Sequence, residues 1–157
     1  MQWVKGGLVF RASAAPLPEG VERTAFDPFP HGVNVWGHAQ VLITPEFRTV
    51  ETPNTETLYS TALLDLANGP VIVVHPDFGD RYYRTSIWEG HGDTHTIGGR
   101  TYGNKPPPLA VVPLGWSGEL PEGVERIEVR SRYVIVGPHI AVYGEDDLPN
   151  VHELQRG

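Results

Sequence analysis

The chain has 157 residues, no cysteine and a formal net charge of −7 at pH 7. This length suits a single domain, and the absence of cysteine excludes disulfides, thiolate metal sites and cysteine nucleophiles. Lys and Arg are not clustered, so we expect neither nucleic acid nor membrane as a partner. The apolar patch near the N-terminus is too interrupted for a secretory signal and too short to span a bilayer, so we expect a cytoplasmic location.

Short apolar runs separated by turn-forming residues dominate the chain, which contains 18 glycines and 15 prolines. Residues 12–32 carry four prolines and predict irregular chain. "TLYSTALLDL", residues 57–66, places Leu58, Ala62 and Leu64 on one face and predicts a half-buried strand. "PVIVVHP", residues 70–76, is a continuous β-branched run and predicts a central strand buried on both faces.

Four further runs predict strands, and no amphipathic helix of about ten residues lies among them. We therefore predict an all-β fold, a sandwich or a barrel, followed by a short C-terminal helix with Leu148, Val151 and Leu154 on one side. The four runs are residues 81–90, 109–116, 124–137 and 139–144.

Several motifs occur in a fixed order along most of the chain and suggest a known family. They include "PNTETLY" at 53–59, "DRYY" at 80–83, "GGRTYG" at 98–103, "PLGWSG" at 113–118 and "DDLPNVHELQ" at 146–155. Together they resemble the domain of unknown function numbered 1254. The resemblance implies an immunoglobulin-like β-sandwich, and it implies no reaction.

Members of that family usually continue into a second all-β domain, numbered 1214, at the point where this sequence stops. The resemblance therefore implies a stand-alone version or one half of a composite whose other half is a separate chain. We predict a single domain over 1–157, comprising an irregular segment at about 1–32, a sandwich at about 33–145 and a helix at about 146–156.

The stretch "EGHGDTH", residues 89–95, is the first candidate site, and it departs from the family pattern. On one strand, His91, Asp93 and His95 share a face and suit Zn, Mn, Fe or Ni. A flat strand would separate the two imidazoles by about 13 Å, so metal binding requires a bulge at the intervening glycines. The alternatives are metal-free acid–base catalysis by His91 and His95, or a solvated polar strand or loop.

The stretch "TPNTETLY", residues 52–59, is the second candidate. Asn54 predicts an Asx-turn, in which its side chain accepts a hydrogen bond from the amide two residues on. Glu56 and Tyr59 are candidate catalytic groups, and Asn54 and Thr57 are candidate substrate-binding groups, in one pocket. The alternative is that these polar groups satisfy backbone amides where strands separate.

Arg81 and Arg100 form the third candidate, because two guanidinium groups can clamp a substrate carboxylate. Ordinary salt bridges to acidic residues are the alternative. The sequence favours a small β-sandwich enzyme or enzyme subunit that acts on a small polar molecule, with or without a divalent metal. The rival functions are a ligand-binding module without chemistry and an interaction domain that pairs with a second copy or a separate second-domain chain.

Overall fold

A computed structural model describes residues 14–47 and 53–156, so residues 1–13 of the predicted irregular segment lie outside the described residues. Its strands form two sheets, a five-stranded one of order β1-β2-β8-β4-β5 and a three-stranded one of order β3-β6-β7. The all-β prediction is confirmed. The elements are β1 (Trp36–His38), β2 (Thr57–Asp65), β3 (Val71–Val73), β4 (Tyr83–Glu89), β5 (Thr94–Gly98), α1 (Gly99–Tyr102), β6 (Leu109–Pro113), β7 (Glu125–Val129), β8 (Tyr133–Ala141) and α2 (Leu148–Arg156).

The core lies between the two sheets, where alternate residues of each strand meet. Leu58, Ile87 and Val136 of the larger sheet pack with Val111 and Val129 of the smaller one, and each is at most 1% exposed. All strand pairs are antiparallel except β6 and β7, which run parallel. Burial of this alternating set of apolar side chains is the main stabilising contribution to the sandwich.

The predicted central strand at residues 70–76 is instead β3, a three-residue strand at the edge of the smaller sheet. Ile72 is 44% exposed and Val74 is 62% exposed. A continuous β-branched run is compatible with an edge strand as well as a central one, because local sequence does not specify which strands pair on either side.

The predicted break between residues 124–137 and 139–144 is also wrong in its position. The strand β8 runs straight through Gly137 and Pro138 and pairs with β4 at both residues. Its pairing with β2 contains neither of them, so the missing amide hydrogen of Pro138 interrupts no ladder there. The break falls earlier, at residues 130–132, between β7 and β8.

The strand β2 is buried on both faces, whereas its alternation predicted burial on one face. Thr57, Thr61 and Leu63, on the face away from the core, are at most 7% exposed. The chain around Phe29 lies over this face, since a Cβ atom placed on Gly37 would be 2.2 Å from the Phe29 carbonyl oxygen. A segment distant in sequence therefore covers the side that the pattern assigned to solvent.

The helix α2 confirms the predicted C-terminal helix and its apolar side. Val151 is fully buried, and Leu148 and Leu154 pack against the core. A 3₁₀ turn at Glu145–Asp147 precedes the helix. Among the described residues, no helix is long and apolar enough to cross a membrane.

Candidate functional site

The stretch at residues 89–95 forms a hairpin turn between β4 and β5, and not the regular strand that would align its side chains on one face. The Glu89 amide donates to the Asp93 carbonyl oxygen at 2.9 Å and closes the turn. Gly92 has φ +103°, a conformation that glycine adopts without strain. Side chains at alternate positions therefore do not share one strand face.

Glu89 lies at the centre of this turn, with a carboxylate that is buried against the neighbouring β7–β8 turn. Its Oε2 atom accepts hydrogen bonds from the backbone amides of Arg130 at 2.6 Å and Ser131 at 2.9 Å. Burial acts to raise the pKa of Glu89, but these hydrogen bonds and the nearby imidazoles of His95 and His91 together outweigh it, so the pKa lies below the usual value for a glutamate. The imidazoles of His91 and His95 each place Nε2 3.6 Å from a Glu89 carboxylate oxygen.

The predicted metal ligands His91, Asp93 and His95 find no support in this arrangement. Within residues 14–47 and 53–156, no group of three or more His, Asp or Glu side chains is placed to hold a metal ion. The two imidazoles approach Glu89, whose carboxylate is already engaged by backbone amides, and Asp93 contributes its carbonyl oxygen to the turn. The hairpin therefore gathers the two imidazoles at Glu89, and within the described residues it does not assemble them with Asp93 into a metal site.

The second candidate stretch forms the predicted Asx-turn, in which Asn54 Oδ1 accepts a hydrogen bond from the Glu56 amide at 2.6 Å. The Asn54 amide donates to the Tyr59 hydroxyl oxygen, also at 2.6 Å. The Thr57 hydroxyl is buried without a hydrogen-bond partner in the described part of the chain, whereas Glu56 is exposed. Asn54 and Tyr59 are thus joined, and Thr57 and Glu56 face different surroundings.

Arg81 forms the ion pair that was the alternative to a substrate clamp. Its guanidinium donates to both carboxylate oxygens of Asp147, with Nη2 to Oδ1 at 2.8 Å, and also to the Ala141 carbonyl oxygen at 2.7 Å. This pairing raises the pKa of Arg81 and holds the pKa of Asp147 far below its usual value. The side chain therefore anchors the turn before α2 to the start of β4.

Arg100 lies in an open groove of about 660 Å³ at the end of β4 and β5, and Arg84 lines the same groove. Both side chains are exposed, and neither has a hydrogen bond or ion pair within the described ranges. Hydroxyl groups of Thr96 and Thr101 line the groove as well, and Asp80 is its one exposed acid. Two free cations thus outnumber one free anion in this concave surface.

His139 connects this groove to the Asn54–Tyr59 region across the outer face of the five-stranded sheet. It is paired in register with Tyr59 on one side and with Arg84 on the other. The rings of Tyr59 and His139 lie 4.1 Å apart at their centroids. Burial, with a smaller contribution from the nearby Arg84 charge, lowers the pKa of His139 to about 4, so the imidazole is neutral at pH 7.

Comparison with known families agrees with the motif order. The model of a family described as "Protein of unknown function (DUF1254)" matches residues 33–157. The chain belongs to this family. No curated protein matches the chain.

A solved structure similar to this DUF1254 chain is that of the VPA0106 protein from Vibrio parahaemolyticus, with a TM-score of 0.64 and 28% sequence identity. The match covers 68% of this chain and only 27% of that one, so this DUF1254 chain spans about a quarter of its length.

The sequence hypotheses included Arg100 and Tyr59, and they did not include Arg84 or His139. The signal for Arg84 was available in "RYYRT", where it alternates with the buried Tyr83 on β4. Nothing in the local sequence indicates that Arg81 forms an ion pair in this DUF1254 chain and that Arg84 forms none within the described residues. That distinction depends on Asp147, which is 66 residues from Arg81.

Proposed function

We propose that this DUF1254 domain binds a small molecule that carries a carboxylate or phosphate group, in the groove lined by Arg84 and Arg100. The observation that supports this function is that one concave surface, in a chain whose net charge is −7, holds two guanidinium groups with no hydrogen bond or ion pair to any described residue. The chain has 19 acidic residues for 12 Lys and Arg, so acids are in excess over cations. Two arginines left free in one groove therefore favour an external anion.

The geometry of the groove suits a small polar anion rather than a polymer. A volume of about 660 Å³ lies within the range of about 300–1,000 Å³ that is typical of small-molecule sites. The hydroxyls of Thr96 and Thr101 add hydrogen-bond donors beside the guanidinium groups. The proposed ligand is thus a more specific version of the small polar molecule expected from the sequence, and its binding to the two arginines requires no metal.

Isothermal titration at low ionic strength with acetate, succinate and inorganic phosphate tests this proposal. We expect at least one anion to bind, with affinity reduced roughly tenfold in Arg84→Gln and in Arg100→Gln. Arg130→Gln is the matched control, because it removes the same exposed charge at the opposite end of β4, beside Glu89. Equal binding by all three variants and the wild type would overturn the proposal.

Catalysis on the bound molecule is the second candidate function, and His139 is the observation that favours it. Its imidazole is neutral at pH 7, adjoins Arg84 in register, and has no hydrogen-bond partner within the described residues. A neutral imidazole can accept a proton from a ligand. Proton NMR of any anion that binds, followed for a day, tests this: conversion that is lost in His139→Gln supports catalysis, and no conversion by the wild type contradicts it.

The predicted protein partners, a second copy or a separate second-domain chain, remain predictions, and so does the cytoplasmic location.

A further inference from the structure

Two exposed tyrosines line the same groove as Arg84 and Arg100. The side chain of Tyr82 is among the most exposed large hydrophobic residues of the described chain at 59%, and Tyr143 is 65% exposed. The Tyr143 hydroxyl oxygen accepts a hydrogen bond from the Tyr82 amide at 3.3 Å, which keeps the two residues together. The groove therefore combines free positive charge with two accessible aromatic rings.

The ring of Tyr143 is held in place by the ion pair beneath it. The Arg81 guanidinium carbon lies 4.9 Å from the centre of the ring, and Asp147 fixes that guanidinium. The Asp147 carboxylate also accepts a hydrogen bond from the Tyr143 amide at 2.9 Å. Both ends of the residue are thus restrained, and a restrained aromatic surface loses little conformational entropy when a ligand packs against it.

We propose that the natural ligand of this groove is an aromatic carboxylic acid, with its carboxylate on Arg84 and Arg100 and its ring against Tyr82 and Tyr143. This inference rests on the proposed anion-binding function and narrows it to one chemical class. Offset or edge-to-face contacts between aromatic rings add to the affinity that burial of a flat apolar group supplies. A simple anion such as acetate or phosphate uses the arginines and leaves both tyrosine rings uncovered.

The test compares four anions on the intact chain by isothermal titration and by amide chemical shifts: acetate, inorganic phosphate, cyclohexanecarboxylate and benzoate. We expect benzoate to bind at least about tenfold more tightly than acetate and more tightly than cyclohexanecarboxylate, which has similar size without an aromatic ring. We expect the largest shifts at residues 80–84, 98–101 and 143.

Variants then separate the aromatic contribution from the charge. Tyr82→Leu and Tyr143→Leu are expected to reduce the preference for benzoate over acetate to less than about threefold. Tyr133→Leu is the matched control: Tyr133 is 41% exposed, has the Arg132 guanidinium carbon 4.8 Å from its ring centre, and lies at the far end of β8. Thermal melts identify any variant that fails to fold, in which case the other tyrosine variant decides the result.

Each outcome has a distinct meaning. If benzoate, cyclohexanecarboxylate and acetate bind equally and depend on Arg84, the aromatic inference is wrong and the anion-binding function stands. If cyclohexanecarboxylate matches benzoate, the groove selects apolar acids in general, and the inference is again overturned. If no anion binds, both the inference and the proposed function fail. Selective benzoate binding that Tyr133→Leu preserves and Tyr82→Leu removes supports the inference.

Discussion

Arg81 and Asp147 form a two-pronged ion pair that joins the start of β4 to the turn before α2. The two residues are 66 positions apart, and each side chain is 13% exposed. Since the Asp147 carboxylate also accepts a hydrogen bond from the Tyr143 amide, one acid organises the C-terminal helix and one wall of the groove. The pair therefore engages the Arg81 guanidinium, which leaves Arg84 as the arginine of the proposed binding site at this end of β4.

We predict that Asp147→Asn lowers the free energy of unfolding by about 1–3 kcal/mol at pH 7, because it weakens charged hydrogen bonds that are largely shielded from water. Folding lowers the pKa of Asp147, so its contribution is present above the unfolded value of ~3.9 and is lost as the pH falls through the folded value. Urea denaturation at pH 7 and pH 3 measures the effect. The gap between variant and wild type should narrow at pH 3, while the exposed neighbour variant Asp146→Asn should match wild type at pH 7.

The buried carboxylate of Glu89 gives a second prediction. Glu89→Gln should lower the free energy of unfolding by about 2–3 kcal/mol, because the Arg130 and Ser131 amides lose a charged acceptor. Hydrogen exchange of these two amides should accelerate more than that of the core strands. Asp93→Asn, an exposed acid in the same turn, is the control and should leave both quantities unchanged. Unaltered exchange in Glu89→Gln would contradict this account of the turn.

The buried imidazole of His75 predicts a loss of stability in mild acid. The side chain is 7% exposed, contacts the Thr85 hydroxyl at 2.9 Å, and burial lowers its pKa to about 4. The unfolded state binds a proton below pH ~6.5 and the folded state does not, so stability falls between pH 6.5 and 4 by up to about 3 kcal/mol.

His75→Gln removes this proton linkage, and its stability should depend less on pH than that of the wild type. His139 has a lowered pKa as well and contributes a slope of the same sign, so the difference between variant and wild type is the relevant quantity. Urea midpoints at pH 7, 5.5 and 4.5 provide the measurement. His91→Gln, at a side chain that is 42% exposed, is the control. Parallel pH profiles for wild type and His75→Gln would refute the prediction.

Gly137 gives a packing prediction on the outer face of the five-stranded sheet. A Cβ atom at this position would lie 2.5 Å from the ring of Trp88, which packs directly over the glycine. Gly137→Ala should displace the ring, cost about 1–3 kcal/mol and change the tryptophan fluorescence of the folded state. At Gly90 the nearest atom to an added Cβ is 3.7 Å away, so Gly90→Ala should be tolerated. Equal stability of the two variants would contradict the packing argument.

Asp80 gives a prediction for the groove itself. It is the exposed acid among the lining residues, and its charge opposes an anion held by Arg84 and Arg100. Asp80→Asn should therefore strengthen acetate binding roughly two- to threefold at low salt, and the gain should diminish in 0.5 M salt. Asp93→Asn, at the opposite end of β4, should not change the affinity. A weaker complex in Asp80→Asn would mean that the carboxylate takes part in binding.

Local pattern by itself determined the all-β class, the inner face of β2, the apolar side of α2, the Asx-turn at Asn54 and the family. Each of these depends on residues that lie within a few positions of one another, because side-chain alternation and turn chemistry are local properties. The family can be recognised from the fixed order of its motifs, without any knowledge of which strands pair. Arg100 and Tyr59 became candidates for the same reason, since their motifs are contiguous.

Tertiary structure alone decided which strand is an edge, which arginine pairs with Asp147 and which histidine lies beside Arg84. The strand β3 is an edge because it pairs only with β6, and its Ile72 is 44% exposed. Asp147 pairs with Arg81, whereas Arg84 has no such partner within the described residues. His139 adjoins Arg84 because β8 lies between β2 and β4. Strand order and ion pairing join residues that are tens of positions apart, and hydrophobic periodicity carries no information at that range.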